Sequence, residues 1–388
     1  MKDLVRVKHE ILTQINRIQI PPHVQAVLDR VRDAGGAAFV VGGAIRNAVW
    51  GYPVTEWDIV TNLSFDTLTR WYGARHPGAR FGTVRASADV EITVMRKEDG
   101  YRDHRHPDVV RVVADIEQDL RRRDFTVNAV AFDGVRVVAV PDSWTDFDQR
   151  RLRTVGEPTT RFREDPLRLL RLARFRAHYG LTVETATWQA ATRLAAETRW
   201  VSRERRLSEW LKFLQAPPDR WSMWVEQGLC RALEWSCEMF DKGFWQDAPE
   251  TEAARIVAFA QTVGVEPAAL AAWAERWPLK RGWRAVLYRA LQARWPGDPA
   301  EWVTWARRSD PRMARFWCDL ARAAGQVVTD CHPLRLAVDG NWVALHIGDT
   351  GSRVGAALRY LQDQIAEHPD WNQPTRLEAL LEEWQARE

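Results

Sequence analysis

Apolar positions follow one period at the start of the chain and another over most of its length. After Pro21-Pro22, Val24, Val27, Leu28 and Val31 recur at helical spacing, and Gly35-Gly36 closes that segment. Ala37 to Val41 is an unbroken apolar run, the pattern of a buried strand, and Gly42-Gly43 ends it. Ala44 to Trp50 then starts a helix, which makes a strand, glycine turn and helix unit. Trp57 to Val60 and Val84 to Met95 read as further β segments ahead of the basic run Arg121 to Arg123. Beyond about residue 155 the β signals fade. Segments rich in Leu, Ala, Arg and Trp continue at helical spacing almost to the end, broken at Pro217-Pro218, Pro267, Pro296 and Pro333. The pattern predicts an α+β protein: a mixed-sheet head over 1–150, then an elongated all-helical remainder with breaks near 217 and 330.

Composition narrows the function classes. Lys and Arg number 55 against 52 Asp and Glu in 388 residues, a net charge of +3, so a nucleic-acid surface has to be local. The N-terminal segment is charged throughout and lacks the apolar core of a signal peptide, and no later stretch matches a membrane span. The expectation is a cytoplasmic protein without a membrane partner. Cys230, Cys237, Cys318 and Cys331 show no CxxC or Cys/His ligand spacing and are expected to be isolated reduced thiols. No fixed-period repeat or low-complexity tract is present, which argues against a solenoid or a disordered tail.

The chemistry concentrates in the head. Glu56 and Asp58, two apart in a predicted strand, project their carboxylates to one face, where paired hard-oxygen ligands suit Mg²⁺ and the in-line displacement of phosphoryl transfer. Glu91, in the alternating segment Val90 to Met95, is a third candidate. Spacing alone is more often that of merely solvated acids. The upstream Gly42-Gly43-Ala44-Ile45-Arg46 changes the picture, because glycines let backbone approach a phosphate and a helix N-terminus attracts anions.

In order, Gly-Gly-x-x-Arg, the acid pair about ten residues on, Gly82-Thr83-Val84, Glu91-x-Thr93 and Arg122-Arg123-Asp124-Phe125-Thr126-x-Asn128-Ala129 resemble the head of the CCA-adding enzyme and bacterial poly(A) polymerase family. The resemblance implies a template-independent nucleotidyltransferase that builds the 3′ end of tRNA from CTP and ATP with Mg²⁺, and does not act on DNA. It implies metal binding by Glu56 and Asp58, triphosphate contact by Gly43 and Arg46, and nucleotide and ribose contact by Arg123 and Asp124. It divides the remainder into a base-recognising neck over 151–216, a helical body over 217–329 and a tRNA-gripping tail over 330–388.

Arg163-Glu164-Asp165-Pro166-Leu167-Arg168 opens a helix in which Asp165, Arg168, Arg171 and Arg174 form a slanting ladder, with Leu169, Leu170 and Ala173 on the core side. In the family the Glu-Asp-x-x-Arg motif reads the incoming base. Cytosine and adenine both present an amino donor beside an unprotonated ring nitrogen, so one carboxylate and one guanidinium select them over uracil and guanine. The resemblance thus gives Asp165 and Arg168 that task, and sets Arg171 and Arg174 toward phosphates or the tRNA end.

Tyr101 to Pro107 resembles the mobile loop with which the family switches from C to A. The likeness continues through Val201 to Arg205, Glu209, Lys212 and Leu214, and again in Gly340, Gly348, Gly351, Gly355, Leu358, Leu361 and Asn372. Between them Trp221, Trp224, Trp273, Trp277, Trp302 and Trp305 read as core packing. No His-Asp phosphohydrolase pattern occurs in the C-terminal half. Three positions depart from the family: Asn47 and Glu56 stand where Asp is usual, and Ala139 to Ser143 replaces a glycine turn. The departures leave open an enzyme that adds only CC or only A, or a tRNA-binding paralogue without activity.

Overall fold

The structure, a computed structural model, describes residues 2–75, 78–99, 109–237, 240, 241, 243, 245–292, 299–309, 311–326, 328 and 335–387. The chain divides into two compact units, Met1–Arg206 with Glu226–Leu233, and Leu207–Val225 with Glu234–Glu388. The expected head and most of the expected neck therefore share one unit.

The first unit opens with helices α1 (Lys2–Asn16) and α2 (Pro22–Asp33). Val24, Leu28 and Val31 of α2 are fully buried, and Gly35 follows at φ 77°, a conformation that favours glycine. Strand β1 (Ala38–Val41) is buried at every position, as its unbroken apolar run predicts. Helix α3 (Gly43–Trp50) follows, then β2 (Trp57–Thr61), α4 (Phe65–Tyr72), β3 (Thr83–Arg85), β4 (Val90–Val94), β5 (Arg96–Asp99), β6 (Val109–Val112), α5 (Ile116–Arg121), β7 (Val130–Phe132) and β8 (Val137–Ala139). The main sheet runs β3-β4-β2-β1-β7-β8, while β5 and β6 form a separate hairpin. Within this sheet, among the described residues, β2 and β4 pair in parallel and the other neighbours antiparallel, so the sheet is mixed. One face is closed by Phe39, Val41 and Val60 packed with Ile116 and Leu120 of α5. Burying each such side chain contributes roughly 1.5–3 kcal/mol.

Four helices complete the part of this unit that bears on the site: α6 (Ser143–Asp148), α7 (Pro158–Glu164), α8 (Leu167–Tyr179) and α9 (Thr185–Leu194). The sequence predicts one helix start at Arg163 to Pro166, but the structure ends α7 at Glu164 and begins α8 at Leu167. Pro166 is the reason: it disfavours helical backbone in the residue before it, and Asp165 is extended at φ −143°, ψ 97°. Leu169, Leu170 and Ala173 are fully buried, as the spacing implied.

The second unit is helical among its described residues. Trp210 lies 5.3 Å from Trp235, 5.5 Å from Phe259 and 5.7 Å from Trp273, in T-shaped contacts. Trp221, Trp224, Trp273, Trp277 and Trp302 are buried and Trp305 is half-buried, which bears out their reading as core. Toward the C-terminus, Val343, Leu361, Ile365, Leu377 and Leu381 form a second cluster, and Asn372 donates to the Arg335 carbonyl at 2.7 Å while accepting from Ala337 N at 2.8 Å. The cysteines depart from expectation. Cys318 is a buried thiol, but Cys230 and Cys237 are disulfide-bonded. Bonding depends on how close the fold brings two Cβ atoms, which sequence spacing does not report. No helix among the described residues is long and apolar enough to cross a membrane.

Candidate active site

The candidate residues converge because three strand ends meet at one end of the sheet. Val41, the last residue of β1, pairs with Asp58 in antiparallel β2, and Asp58 pairs with Glu91 in parallel β4. Side chains alternate along a strand, so Asp58 and Val60 share a face. Val60 is sealed in the core, whereas Asp58 at the uncovered end remains exposed. Glu56 lies one residue before β2 rather than within it, and is also exposed.

Asp58 combines accessible area with dense protein surroundings, as a side chain on the floor of an open cleft does. That crowding raises its pKa; Arg123 and Arg171 oppose the shift, while Glu91 and Glu56 reinforce it. Asp58 thus feels both of the other candidate acids. Glu91 accepts from Arg85 Nη2 at 2.9 Å. No group of three or more His, Cys, Asp or Glu among the described residues is arranged to hold a metal ion. Asp58 and Glu56 remain a hard-oxygen pair, the number Mg²⁺ commonly takes from protein when substrate phosphates complete its shell.

Gly42 turns the chain between β1 and α3 at φ 70°, ψ −119°. The conformation favours glycine, and a Cβ there would meet Arg123 Nη1 at 3.2 Å, so that the arginine would have to shift slightly. Gly43 begins α3 and has more room. Arg46 has a different position from the one its motif suggests. It is buried, donating through Nη1 to Asn128 Oδ1 and through Nη2 to Asn47 Oδ1 at 2.8 Å and Tyr179 OH at 2.7 Å. Its guanidinium also lies 4.9 Å from the Phe175 ring centroid and 4.5 Å from that of Tyr179. Its hydrogen bonds go to protein partners.

The Arg-Arg-Asp motif sits at the end of α5. Arg122 and Arg123 both pair with buried Asp119, at 2.8 and 3.2 Å. Asp124 is nearly buried. Its Oδ1 accepts from Phe125 N at 2.8 Å and Asn128 Nδ2 at 3.0 Å, and its Oδ2 accepts from Arg171 Nε at 2.7 Å. Burial alone would raise its pKa, but Arg171, Asn128 and the Phe125 N–H outweigh burial and hold it far below the usual carboxylate range.

The arginine ladder is likewise internally paired. Arg168 is buried, with Nη1 donating to the Arg161 carbonyl at 2.7 Å and Glu164 Oε2 at 3.0 Å, and Nη2 donating to the Arg122 carbonyl at 3.1 Å. Glu164 also accepts from Arg161. Asp165 pairs with Arg205 at 3.2 Å and accepts from Leu167 N. Arg174 lies over the Phe175 ring at 4.3 Å. Lys97, Asp115, Gln118, Arg121, Arg122 and Arg161 line an open, mainly basic cavity of about 440 Å³, a local concentration of charge in a nearly neutral chain.

The structure therefore brings Glu56, Asp58, Glu91, Arg123 and Arg171 into one electrostatic neighbourhood, and ties Asp124 to Arg171. Tyr101 to Pro107 lies outside the described residues. Sequence reasoning missed the roles of Asn128, Glu164, Tyr179 and Arg205. Asn128 stands inside a quoted motif, and Arg205 inside the likeness after Val201; Tyr179 carried no signal beyond its place at a helix end.

Comparison with known proteins agrees with this geometry. The family described as the Poly A polymerase head domain matches residues 38–153, which span the sheet and both acidic strands. The CCA-adding enzyme of Streptococcus suis is 39% identical over 196 residues, 49% of this chain and 48% of that protein. The CCA-adding enzyme of Staphylococcus aureus is 34% identical over 194 residues, 49% and 48% of the two chains. The chain thus matches about half the length of these curated relatives. In fold it resembles the Bacillus stearothermophilus CCA-adding enzyme in complex with CTP, with a TM-score of 0.67 at 23% identity over 95% of this chain and 99% of that one. It also resembles the Thermotoga maritima CCA-adding enzyme complexed with tRNA, with a TM-score of 0.64 at 15% identity over 96% and 98%. Residues 38–153 match the poly(A) polymerase head domain, and the chain carries the fold seen in the CCA-adding enzymes.

Proposed function

We propose that this chain, a member of the poly(A) polymerase head family over residues 38–153, adds CCA to the 3′ end of tRNA by transferring CMP from CTP and AMP from ATP without a nucleic-acid template. The observation that carries the reading is the register of Asp58 beside Glu91 at the open end of the sheet, next to the Gly42 turn and Arg123. Three acids lie where an anionic triphosphate has to arrive, and crowding by protein, with Glu91 and Glu56 adding to it, disfavours the charge on Asp58, a cost that a divalent cation would relieve. Asp58 and Glu56 would hold Mg²⁺, which when bound stabilises charge on the transferring phosphoryl group. Gly43 and the N-terminus of α3 would take phosphate oxygens, and Arg123 would neutralise the triphosphate.

Asp124 has one lone-pair direction left on Oδ2 after its three bonds, enough to accept from a ribose 2′-hydroxyl. Asp165 and Arg168 would read the base, the first accepting from the amino group and the second donating to the ring nitrogen; Glu164 and Arg205 keep both in place. Arg46 serves this site from within, by holding Asn128. Arg171 and Arg174 would face the incoming strand. The basic cavity around Arg121 suits tRNA phosphates. In this reading the protein works in the cytoplasm, where reducing conditions would open the bonds at Cys230 and Cys237.

The test is incubation with Mg²⁺ and labelled CTP or ATP on tRNAs ending before C74, before C75 and before A76. Incorporation of two C residues and then A is expected. Incorporation of C alone or A alone would mark a partial enzyme, and none at all, with tRNA still bound, a paralogue that only binds.

A further inference from the structure

Arg46, Asn128, Asp124 and α8 form one closed polar ring. From Arg46 Nη1 the ring passes to Asn128 Oδ1, from Asn128 Nδ2 to Asp124 Oδ1 at 3.0 Å, and from Asp124 Oδ2 to Arg171 Nε at 2.7 Å. Arg171 lies on α8, and so does Tyr179, whose hydroxyl accepts from Arg46 Nη2 at 2.7 Å and closes the ring. The amide of Asn128 has a single orientation in it. A guanidinium only donates, so the Asn128 oxygen faces Arg46 and its NH₂ faces Asp124. The direction of the Asp124 carboxylate is thereby linked to the position of Arg46.

Arg46 needs help to stay there. Burial disfavours its charge, and its three hydrogen-bonding partners, Asn47, Asn128 and Tyr179, are all neutral; the anion that supports it, Asp124, is bonded to it only through Asn128. At position 47 the family pattern has an aspartate, which would have given Arg46 an adjacent anion. Here Asn47 Oδ1 offers only a neutral acceptor, itself oriented by the Tyr179 hydroxyl, which donates to it at 3.0 Å. The Tyr179 ring is fixed independently of its hydroxyl: Tyr52 lies 4.9 Å away edge-on, Trp50 at 5.8 Å and Phe175 at 6.2 Å.

We propose that Tyr179 is a positioning residue for nucleotide transfer, standing in for the missing charge at Asn47 and, through Arg46 and Asn128, aiming Asp124 at the ribose. The inference rests on the transfer reaction proposed above and on the ribose contact of Asp124. It makes a demand that a simple packing role does not: loss of the hydroxyl should be felt by the 2′-hydroxyl of the substrate and not by the rest of it.

Tyr179→Phe keeps the ring in its aromatic surroundings and removes only the oxygen. With kcat and KM measured for CTP and dCTP, and for ATP and dATP, the preference for the ribonucleotide should fall about 5- to 10-fold, the scale of one hydrogen bond, chiefly through KM for CTP and ATP. The tRNA dissociation constant should be unchanged, and the melting temperature should fall by only a few degrees, because the ring stays packed while its two hydrogen bonds are lost. Adding Asn47→Asp to Tyr179→Phe should restore most of the preference by returning an anion to Arg46. Parental ribose preference in Tyr179→Phe, an equal loss with CTP and dCTP, or failure of Asn47→Asp to rescue would each overturn the proposal. If the parent transfers nothing to tRNA, the reaction itself is misread. Calorimetric binding of CTP and dCTP to parent and Tyr179→Phe then decides the role of the ring directly, a retained preference in the variant again overturning it.

Discussion

The acidic and cationic sides of the candidate site solve the problem of charge in opposite ways. The acidic side, Asp58 with Glu56 and Glu91, sits at an uncovered sheet end, and its leading carboxylate keeps a raised pKa because protein crowds it and the neighbouring acids add to that. The cationic side is the reverse: Arg46 and Arg168 are buried, and they and Arg171 are all hydrogen-bonded to side chains or carbonyls of the protein. On the first side Glu91 is paired with Arg85 while the charge on Asp58 stays disfavoured, as the proposed cation site requires. The other is satisfied in advance, so that its guanidinium groups hold geometry instead of searching for it.

The comparison breaks most visibly at Asp58. If Asp58 holds the metal as proposed, Asp58→Ala removes a ligand worth several kcal/mol in the transition state, so transfer should fall on the order of 10³-fold or more while tRNA affinity holds. Single-turnover rates with saturating CTP, beside filter binding of tRNA, measure both. A variant as active as its parent would remove the acidic side from the chemistry.

On the satisfied side the expected effect is smaller and has a different signature. Arg168→Ala should lower use of CTP and ATP and relax the exclusion of UTP and GTP, by roughly 5- to 150-fold in selectivity for a bidentate reader. Competition of all four nucleotides on one tRNA reads it. If all four weaken together, Arg168 is only a brace between Glu164 and the Arg122 carbonyl.

Much of the acidic side was legible from sequence, because alternation within a strand is a local property and places Asp58 and Glu91 without knowledge of the fold. Glu56 was misplaced by a single residue, since β2 begins only at Trp57. The cationic side was legible as a set of motifs but not as a set of partners. Arg46 meets Tyr179, Arg171 meets Asp124 and Arg205 meets Asp165 across long stretches of chain, and no periodicity encodes such pairs. The break at Asp165 was written in Pro166, although the same proline was read as a helix start. The tryptophans were read correctly as core because a spacing of three or four puts successive indoles on one helix face, and Trp273 packs against both Trp210 and Trp277.

Asp124 tests whether satisfaction is worth stability. Its pKa is depressed in the folded state, so the unfolded chain takes up its proton first on acidification. The stabilisation is therefore complete above the unfolded value of about 3.8 and is lost as pH falls toward the lower folded value. Asp124→Asn should cost about 1–3 kcal/mol at pH 7, discounted because Arg171 is partly exposed, and progressively less below about pH 4. Denaturant unfolding of parent and variant at pH 7 and pH 3 checks the sign; a difference that grows on acidification would contradict the pairing.

Asp58 should show the smallest effect, with the opposite sign. Crowding raises its folded pKa above the unfolded value, so its ionised form is disfavoured by folding at every pH above that value, the neutral range included. Because the side chain keeps solvent access, water screens most of this cost. Asp58→Asn, nearly the same shape without the charge, should consequently melt as high as the parent or slightly higher at pH 7 in the absence of divalent cations. Added Mg²⁺ should raise the melting temperature of the parent more than that of Asp58→Asn, since only the parent offers the carboxylate that binds it. Calorimetric scans with chelator and with Mg²⁺ make the comparison, and acidification to about pH 4 should shrink the metal-free difference by protonating Asp58. A variant that melts clearly below the parent without metal would mean that Asp58 is already satisfied by Arg123, and the contrast between the two sides of the site would fail at its most exposed residue.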